Sequence, residues 1–270
     1  MSATRTIAVC GKGGAGKTTL SALIARACVE SQGKRLLAVD ADHAGGLTMA
    51  LGLASRGEPR TLEHVRQRLA EQLRARTTSK RTAPRELDSL LLEALAERGS
   101  LALLTAGRPV ERGCYCALNA LLRLAIARLS GEFDVTIIDA EAGVEQVSRE
   151  VLGVIDRLLL VVDGSARSVR VAEAIVSVAT DASGSAGVVV NRARDPGELG
   201  RMRSMTALPV LGAVPEDDLV HRFDAEGRSL LDLPECPALS AVAAIAGALL
   251  SVGCPTAPLI GAESTPHGAS

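Results

Sequence analysis

The sequence predicts an α/β protein, a mostly parallel sheet covered by helices on both faces, and three observations carry that prediction. Short runs rich in Val, Ile and Leu alternate with longer helical patterns, the order expected of strand–helix–strand crossovers. Several of these runs are continuously apolar rather than alternating, as strands are when both faces are buried. The 270 residues are 47% hydrophobic, enough for a full core. Only three aromatics occur, Tyr115, Phe133 and Phe223, so that core must be built from Ala, Val and Leu.

Residues 6–10 (TIAVC), 35–40 (RLLAVD), 101–105 (LALLT), 134–139 (DVTIID), 158–163 (LLLVVD), 186–191 (AGVVVN) and 210–213 (VLGA) read as strands. Helices are expected near 17–31, 117–129, 168–180 and 238–251. Residues 54–100 differ: they hold two helical patterns, 61–76 and 84–98, and no convincing strand. Between residues 56 and 85, nine basic side chains stand against three acidic ones, which suits a solvated helical insertion or a docking face. One domain is therefore expected over 1–254, interrupted by this insertion. The Pro-, Gly-, Ser- and Thr-rich stretch 255–270 is expected to be a disordered tail.

Composition excludes several classes. A formal net charge of −1 gives no global reason to bind polyanions, and three aromatics make no stacking platform for single-stranded nucleic acid. The first residues lack a charged-then-apolar secretory pattern. The longest uncharged run, 236–262, has a core of 17 residues between two prolines, short for a membrane span and better suited to a buried helix. Six cysteines in a chain of this length need not be disulfide staples. A soluble protein in a reducing, cytoplasmic setting is expected.

The first strand runs into Gly11-Lys12-Gly13-Gly14-Ala15-Gly16-Lys17-Thr18, which fits G-x-x-x-x-G-K-[ST] between a strand and a helix. Glycines let backbone N–H groups close around phosphate oxygens, with the helix N-terminus behind them. In this motif Lys17 pairs with the β- and γ-phosphates and Thr18 gives its hydroxyl to Mg²⁺, with Thr19 beside them. The fold expectation sharpens to a P-loop NTPase three-layer sandwich.

The extra lysine, Lys12, makes the loop KGGxGK, which resembles the deviant Walker A of the MinD, ParA and nitrogenase iron protein superfamily. The resemblance implies that Lys12 reaches a partner's nucleotide across a two-fold interface, so an ATP-dependent homodimer. Asp40-Ala41-Asp42 resembles the first switch, in which Asp42 orients the attacking water; His43 stands where the superfamily usually has Pro. Asp139-Ala140-Glu141-Ala142-Gly143 resembles the Walker B and second switch, implying that Asp139 holds Mg²⁺ through water and that the Gly143 N–H senses the γ-phosphate. Asn191-Arg192-Ala193-Arg194 lacks the aspartate of a guanine-reading N-K-x-D motif, so adenine is the expected base. The turn from Gly212 to Asp217 resembles the superfamily's adenine turn, which makes Asn191, Pro215 and Asp217 candidate nucleotide contacts or, for Asn191 and Asp217, simple caps.

Cys114 and Cys116 are two soft ligands one residue apart, suited to Zn, Ni or Cu(I). One pair cannot close a tetrahedral site, but a dimer supplies four thiolates. Two buried core thiols, or a strained redox disulfide, are the other readings. The segment G-C-Y-C-x-x-x-x-L-L-R with D-x-E-A-G-V-E is similar to the CooC-type nickel-insertion ATPases that mature carbon monoxide dehydrogenase. That family commonly has Pro at the position of Ala117. The resemblance implies a metallochaperone in which Cys114 and Cys116 bind Ni²⁺ or Zn²⁺ between subunits for a client metalloenzyme. The alternative is a MinD- or ParA-like positioning ATPase acting on membrane or DNA. Residues 252–270 contain no Lys or Arg, so the basic terminal helix of a membrane-bound relative is not expected. Resemblance to the nitrogenase iron protein would imply an iron–sulfur electron carrier with one cysteine just after the second switch, and none lies between 117 and 235.

Overall fold

A computed structural model describes residues 5–53, 60–75, 82–109, 115–140, 155–179, 184–251 and 254–258. The central layer is a sheet in the order β3-β4-β2-β5-β1-β6-β7-β8. Its strands are β1 (Arg5–Gly11), β2 (Leu36–Asp40), β3 (Ala96–Arg98), β4 (Leu101–Thr105), β5 (Val135–Asp139), β6 (Arg157–Val162), β7 (Ser185–Ala193) and β8 (Val210–Pro215). Every pairing among them is parallel except the β3–β4 hairpin. The seven parallel strands are the apolar runs anticipated, and three of them, β2, β5 and β6, are buried along their whole length. Burial on both faces is what a continuous apolar run without alternation requires.

Two hydrophobic cores lie on opposite faces of the sheet. On one, side chains of β2, β4, β5 and β6 such as Leu37, Leu104, Ile138 and Leu160 meet α3 (Leu62–Arg74), α4 (Ala83–Glu93), α5 (Tyr115–Leu129), α6 (Ala166–Val178) and α7 (Gly197–Met205). On the other, Val9, Ala38, Ile137 and Val161 meet α1 (Lys17–Glu30), α2 (Gly46–Ala50), α8 (Asp218–Ala225) and α9 (Pro237–Leu250). This is the expected three-layer arrangement. Among the described residues no helix is long and apolar enough to cross a membrane; within the uncharged run, Pro237–Leu250 forms α9, whose Leu239, Val242, Ile245 and Leu249 are buried.

Two expectations need correction. The second helical pattern of the insertion ends at Glu93, and 96–98 is an antiparallel edge strand, not helix. Alanine, leucine and glutamate there favour helix, but pairing with the buried β4 through a two-residue turn at 99–100 outweighs propensity. In the tail, Ala257–Pro258 forms a short strand, β9, antiparallel to the start of β7. It occupies the edge of Ser185–Ala186 before β8 begins, a place where a strand proline costs little.

Candidate functional site

The strands run outward from β1 in both directions, β5, β2 and β4 to one side and β6, β7 and β8 to the other. The crevice beyond the C-terminal end of β1 is therefore a topological switch point, where open α/β sheets bind ligands. The C-terminal ends of β1, β2, β5, β6 and β8 all lie on that side of the parallel sheet.

The β1–α1 loop has the shape its sequence requires. Gly11, Gly14 and Gly16 all have positive φ. At Gly16 a Cβ would collide with the Asn191 side chain, so only glycine fits against β7. The Asn191 amide donates to the Ala15 carbonyl at 2.9 Å and an Arg192 guanidinium N–H to the Gly14 carbonyl at 3.3 Å. Arg192 itself is held in the left-handed region, at φ 57°. Carbonyls are thus tied outward, leaving the loop to present N–H groups inward, as phosphate binding requires. Lys17, the first residue of α1, reaches back to the Lys12 carbonyl at 3.4 Å.

Beside this loop lies an anionic pocket. Asp40 and Asp139 are register partners on adjacent strands and project to the α1 face, 0% and 2% exposed. Asp139 accepts from Ser21 Oγ at 3.0 Å and from the Thr18 hydroxyl. Burial nevertheless raises its pKa to about 6, with Asp40 adding to the rise. Asp40 Oδ2 accepts from the Thr48 N–H and hydroxyl at 2.8 and 2.7 Å. Its Oδ1 is buried without a hydrogen-bond partner, and burial also pushes this carboxyl up. Two buried carboxylates, one of them with an orphaned oxygen, stand beside the Thr18 and Ser21 hydroxyls, with Lys17 the cation acting on Asp139. That donor set fits a hard divalent cation such as Mg²⁺.

The remaining candidate residues are placed as follows. Asp42 Oδ1 accepts from the Ala44 N–H at 2.8 Å, a local turn within the loop. Lys12 Nζ lies 3.1 Å from Asp163 Oδ2, at the end of β6, in its own chain. Asp163 is held well below the ordinary carboxylate range: burial opposes this, but the Ser165 and Ser168 hydroxyls and Lys12 outweigh it. Asp217 is fully engaged as a cap, Oδ1 accepting from Leu219 and Val220 N–H and Oδ2 from Ala238 N–H. It and Pro215 line a crevice with Thr19, Leu23 and Arg192 beside the phosphate loop. Cys116 is exposed in the first turn of α5, a free thiol. Gly143 and Cys114 lie outside the described residues. Among the described residues no three His, Cys, Asp or Glu side chains converge to hold a metal.

Ser21, Thr48, Asp163 and Arg192 belong to this site and were not singled out from sequence. Ser21 alone carried a usable signal, four residues after Lys17 and so one helical turn along the face that meets β5.

Residues 6–230 match the CobQ/CobB/MinD/ParA nucleotide binding domain. The chain is 31% identical over 235 residues to an uncharacterised ATP-binding protein of Methanocaldococcus jannaschii, covering 85% of this chain and 91% of that one. It is 29% identical over 247 residues to the carbon monoxide dehydrogenase accessory protein CooC of Rhodospirillum rubrum, with the same coverages of 85% and 91%. In fold it resembles the septum site-determining protein MinD of Pyrococcus horikoshii, solved with Mg-ADP, at a TM-score of 0.66 and 20% identity over 90% of this chain and 95% of that one.

Proposed function

The chain belongs to the CobQ/CobB/MinD/ParA nucleotide-binding family, and from that premise we propose that it is an ATP-hydrolysing metallochaperone. In this reading two copies take a soft metal, nickel or zinc, on Cys114 and Cys116 of both chains and deliver it to a client metalloenzyme. The observation that carries it is the exposed thiol of Cys116 at the start of α5, one residue from a second cysteine. Four thiolates around a two-fold axis satisfy a tetrahedral ion, which is the cargo. Similarity to CooC along 91% of that protein supports the same reading.

The chain's own groups divide the work on nucleotide. Backbone N–H groups of 13–18 hold phosphate oxygens, and Lys17 leaves the Lys12 carbonyl to neutralise the β- and γ-phosphates. Thr18, through its hydroxyl, and Asp139, through water, would hold Mg²⁺, which supplies positive charge to the phosphate oxygens when bound. Asp42 gives up its turn with Ala44 to orient the attacking water. Lys12 gives up Asp163 to reach the partner's nucleotide, where charge develops in the transition state.

Equilibrium dialysis with Ni²⁺ or Zn²⁺ tests the cargo. The wild type should retain about one ion per two chains, and Cys114→Ser/Cys116→Ser none. Equal retention by both would overturn the reading. The other reading is a positioning ATPase, supported by the MinD and ParA members of the family. A salt-dependent shift with DNA or vesicles that survives cysteine removal would replace the first by the second. The basic insertion favours it little, since Arg66 and Arg68 are paired with Glu63 and Glu93.

A further inference from the structure

The loops after β2 and β4 are neighbours because their strands are register partners, Asp40 opposite Thr105. Their pairing continues past the strands. The Ala106 N–H donates to the Asp40 carbonyl at 2.9 Å, and the Thr48 hydroxyl joins Asp40 Oδ2 to the Thr105 hydroxyl. One step further, side chains take over from backbone. His43 Nδ1 lies 2.8 Å from the Gly107 carbonyl, and Arg108 Nε donates to the His43 carbonyl at 3.1 Å. A carbonyl only accepts, so Nδ1 carries the proton in this bond. The two bonds run in opposite directions between the same loops, so displacement of one loop either breaks them or moves the other.

The far side of the second loop is backed by the insertion. Gly107 has φ +78°, and a Cβ there would stand 2.7 Å from the Thr61 side chain, so no other residue fits. Thr61 is the N-cap of α3, and the Glu63 N–H donates to the Ala106 carbonyl at 3.1 Å. The segment 106–108 is therefore held between α3 and the Asp42 loop. Asp42 immediately precedes His43, and Cys116 follows Arg108 by eight residues.

We propose that the His43–Gly107–Arg108 clasp carries movement of the Asp42 loop to the start of α5, so that exposure of the Cys116 thiol follows the γ-phosphate. The clasp stands on its own bonds; that the thiol handles metal rests on the function proposed above. The two reciprocal bonds join the Asp42 loop to the segment that leads to Cys116, and the nucleotide-dependent measurement below decides whether that connection transmits a change. The clasp also gives the helical insertion a role as the abutment of the second loop.

The test is the alkylation rate of Cys116, read by peptide mass spectrometry, with Mg-ADP and with Mg²⁺ and a non-hydrolysable ATP analogue. It is run at a dilution where light scattering gives the monomer mass with both nucleotides, so that burial between subunits does not contribute. In the wild type the two rates should differ by at least about fivefold, the lower end of ordinary allosteric coupling. In His43→Ala and Arg108→Ala the ratio should fall to near one, with nucleotide affinity unchanged. His43→Asn, whose amide N–H stands in for Nδ1–H, should keep the ratio. A wild-type ratio near one, or a ratio that persists in both alanine variants, overturns the clasp. Metal dialysis alongside separates the two ideas. No metal bound, with the ratio lost only in the alanine variants, sinks the metallochaperone reading and leaves the clasp. Metal bound, with equal ratios throughout, sinks the clasp alone.

Discussion

Lys12 shows how a single side chain can be both motif and restraint. Its ammonium is paired within its own chain to Asp163, at partial exposure on both sides. Pairs of this exposure contribute about 0–1 kcal/mol. Any role for Lys12 at a second copy's nucleotide must first break that pair, so the pair opposes dimerisation by the same amount. Asp163→Asn keeps the acceptor that Ser165 uses and removes the charge that holds Lys12. Two such pairs are broken per dimer, so with an ATP analogue the dimer of this variant should form up to about thirtyfold more tightly by sedimentation equilibrium. An unchanged or weaker dimer would mean that Lys12 is not restrained by Asp163. The sign with pH follows from the depressed carboxyl. Its stabilisation is fully present above the unfolded value near pH 4 and is lost as pH falls through the lower folded one. Near neutral pH the restraint is always in place.

At the scale of elements, Asp217 fastens two helices. One carboxylate oxygen caps α8 through Leu219 and Val220, and the other accepts from Ala238 in the first turn of α9. An N-cap contributes about 1 kcal/mol, so Asp217→Ala should lose about 2 kcal/mol in urea unfolding while Asp217→Asn loses less than half of that. An alanine variant as stable as wild type would show that the caps are replaced by water. The carboxyl sits below its ordinary value: burial raises it, and the N–H bonds from Ala238 and Leu219 lower it further. The cap is therefore lost only as pH falls below the usual carboxylate range. The same scale explains what was legible. The parallel strands were readable because burial on both faces leaves an uninterrupted apolar run. The short helices α2, α7 and α8 were not, being too brief to show a period. Neither was β3, whose helix-favouring residues become a strand only because β4 offers an edge. In the site, contiguous motifs such as 11–18 announced themselves. Asp163 and Arg108 did not, because nothing in a lone aspartate or arginine says which distant loop it will meet.

At the scale of the whole molecule, the two cores share one sheet, and the phosphate loop belongs to both. Val9 packs toward α1 while Ala8 and Cys10 pack toward the opposite helices, from the same strand that ends at Gly11. Neither core can be lost without exposing the other through β1, so the chain should unfold in one cooperative transition, insertion included. The proposed nucleotide site lies at the end of the strand common to both cores, and binding that needs the folded loop would stabilise the whole fold. At a ligand concentration 100 times its dissociation constant this is about 2.7 kcal/mol. For a chain of this size that corresponds to a rise of roughly 5–10 °C in Tm. Differential scanning calorimetry should show a single peak that moves up by this amount with Mg-ADP. Lys17→Ala should keep the single peak without nucleotide and lose the shift. Two peaks, of which only one responds to nucleotide, would mean that 54–100 folds as a separate unit against the ATPase body. The clasp would then have to act across a joint rather than within one rigid sheet.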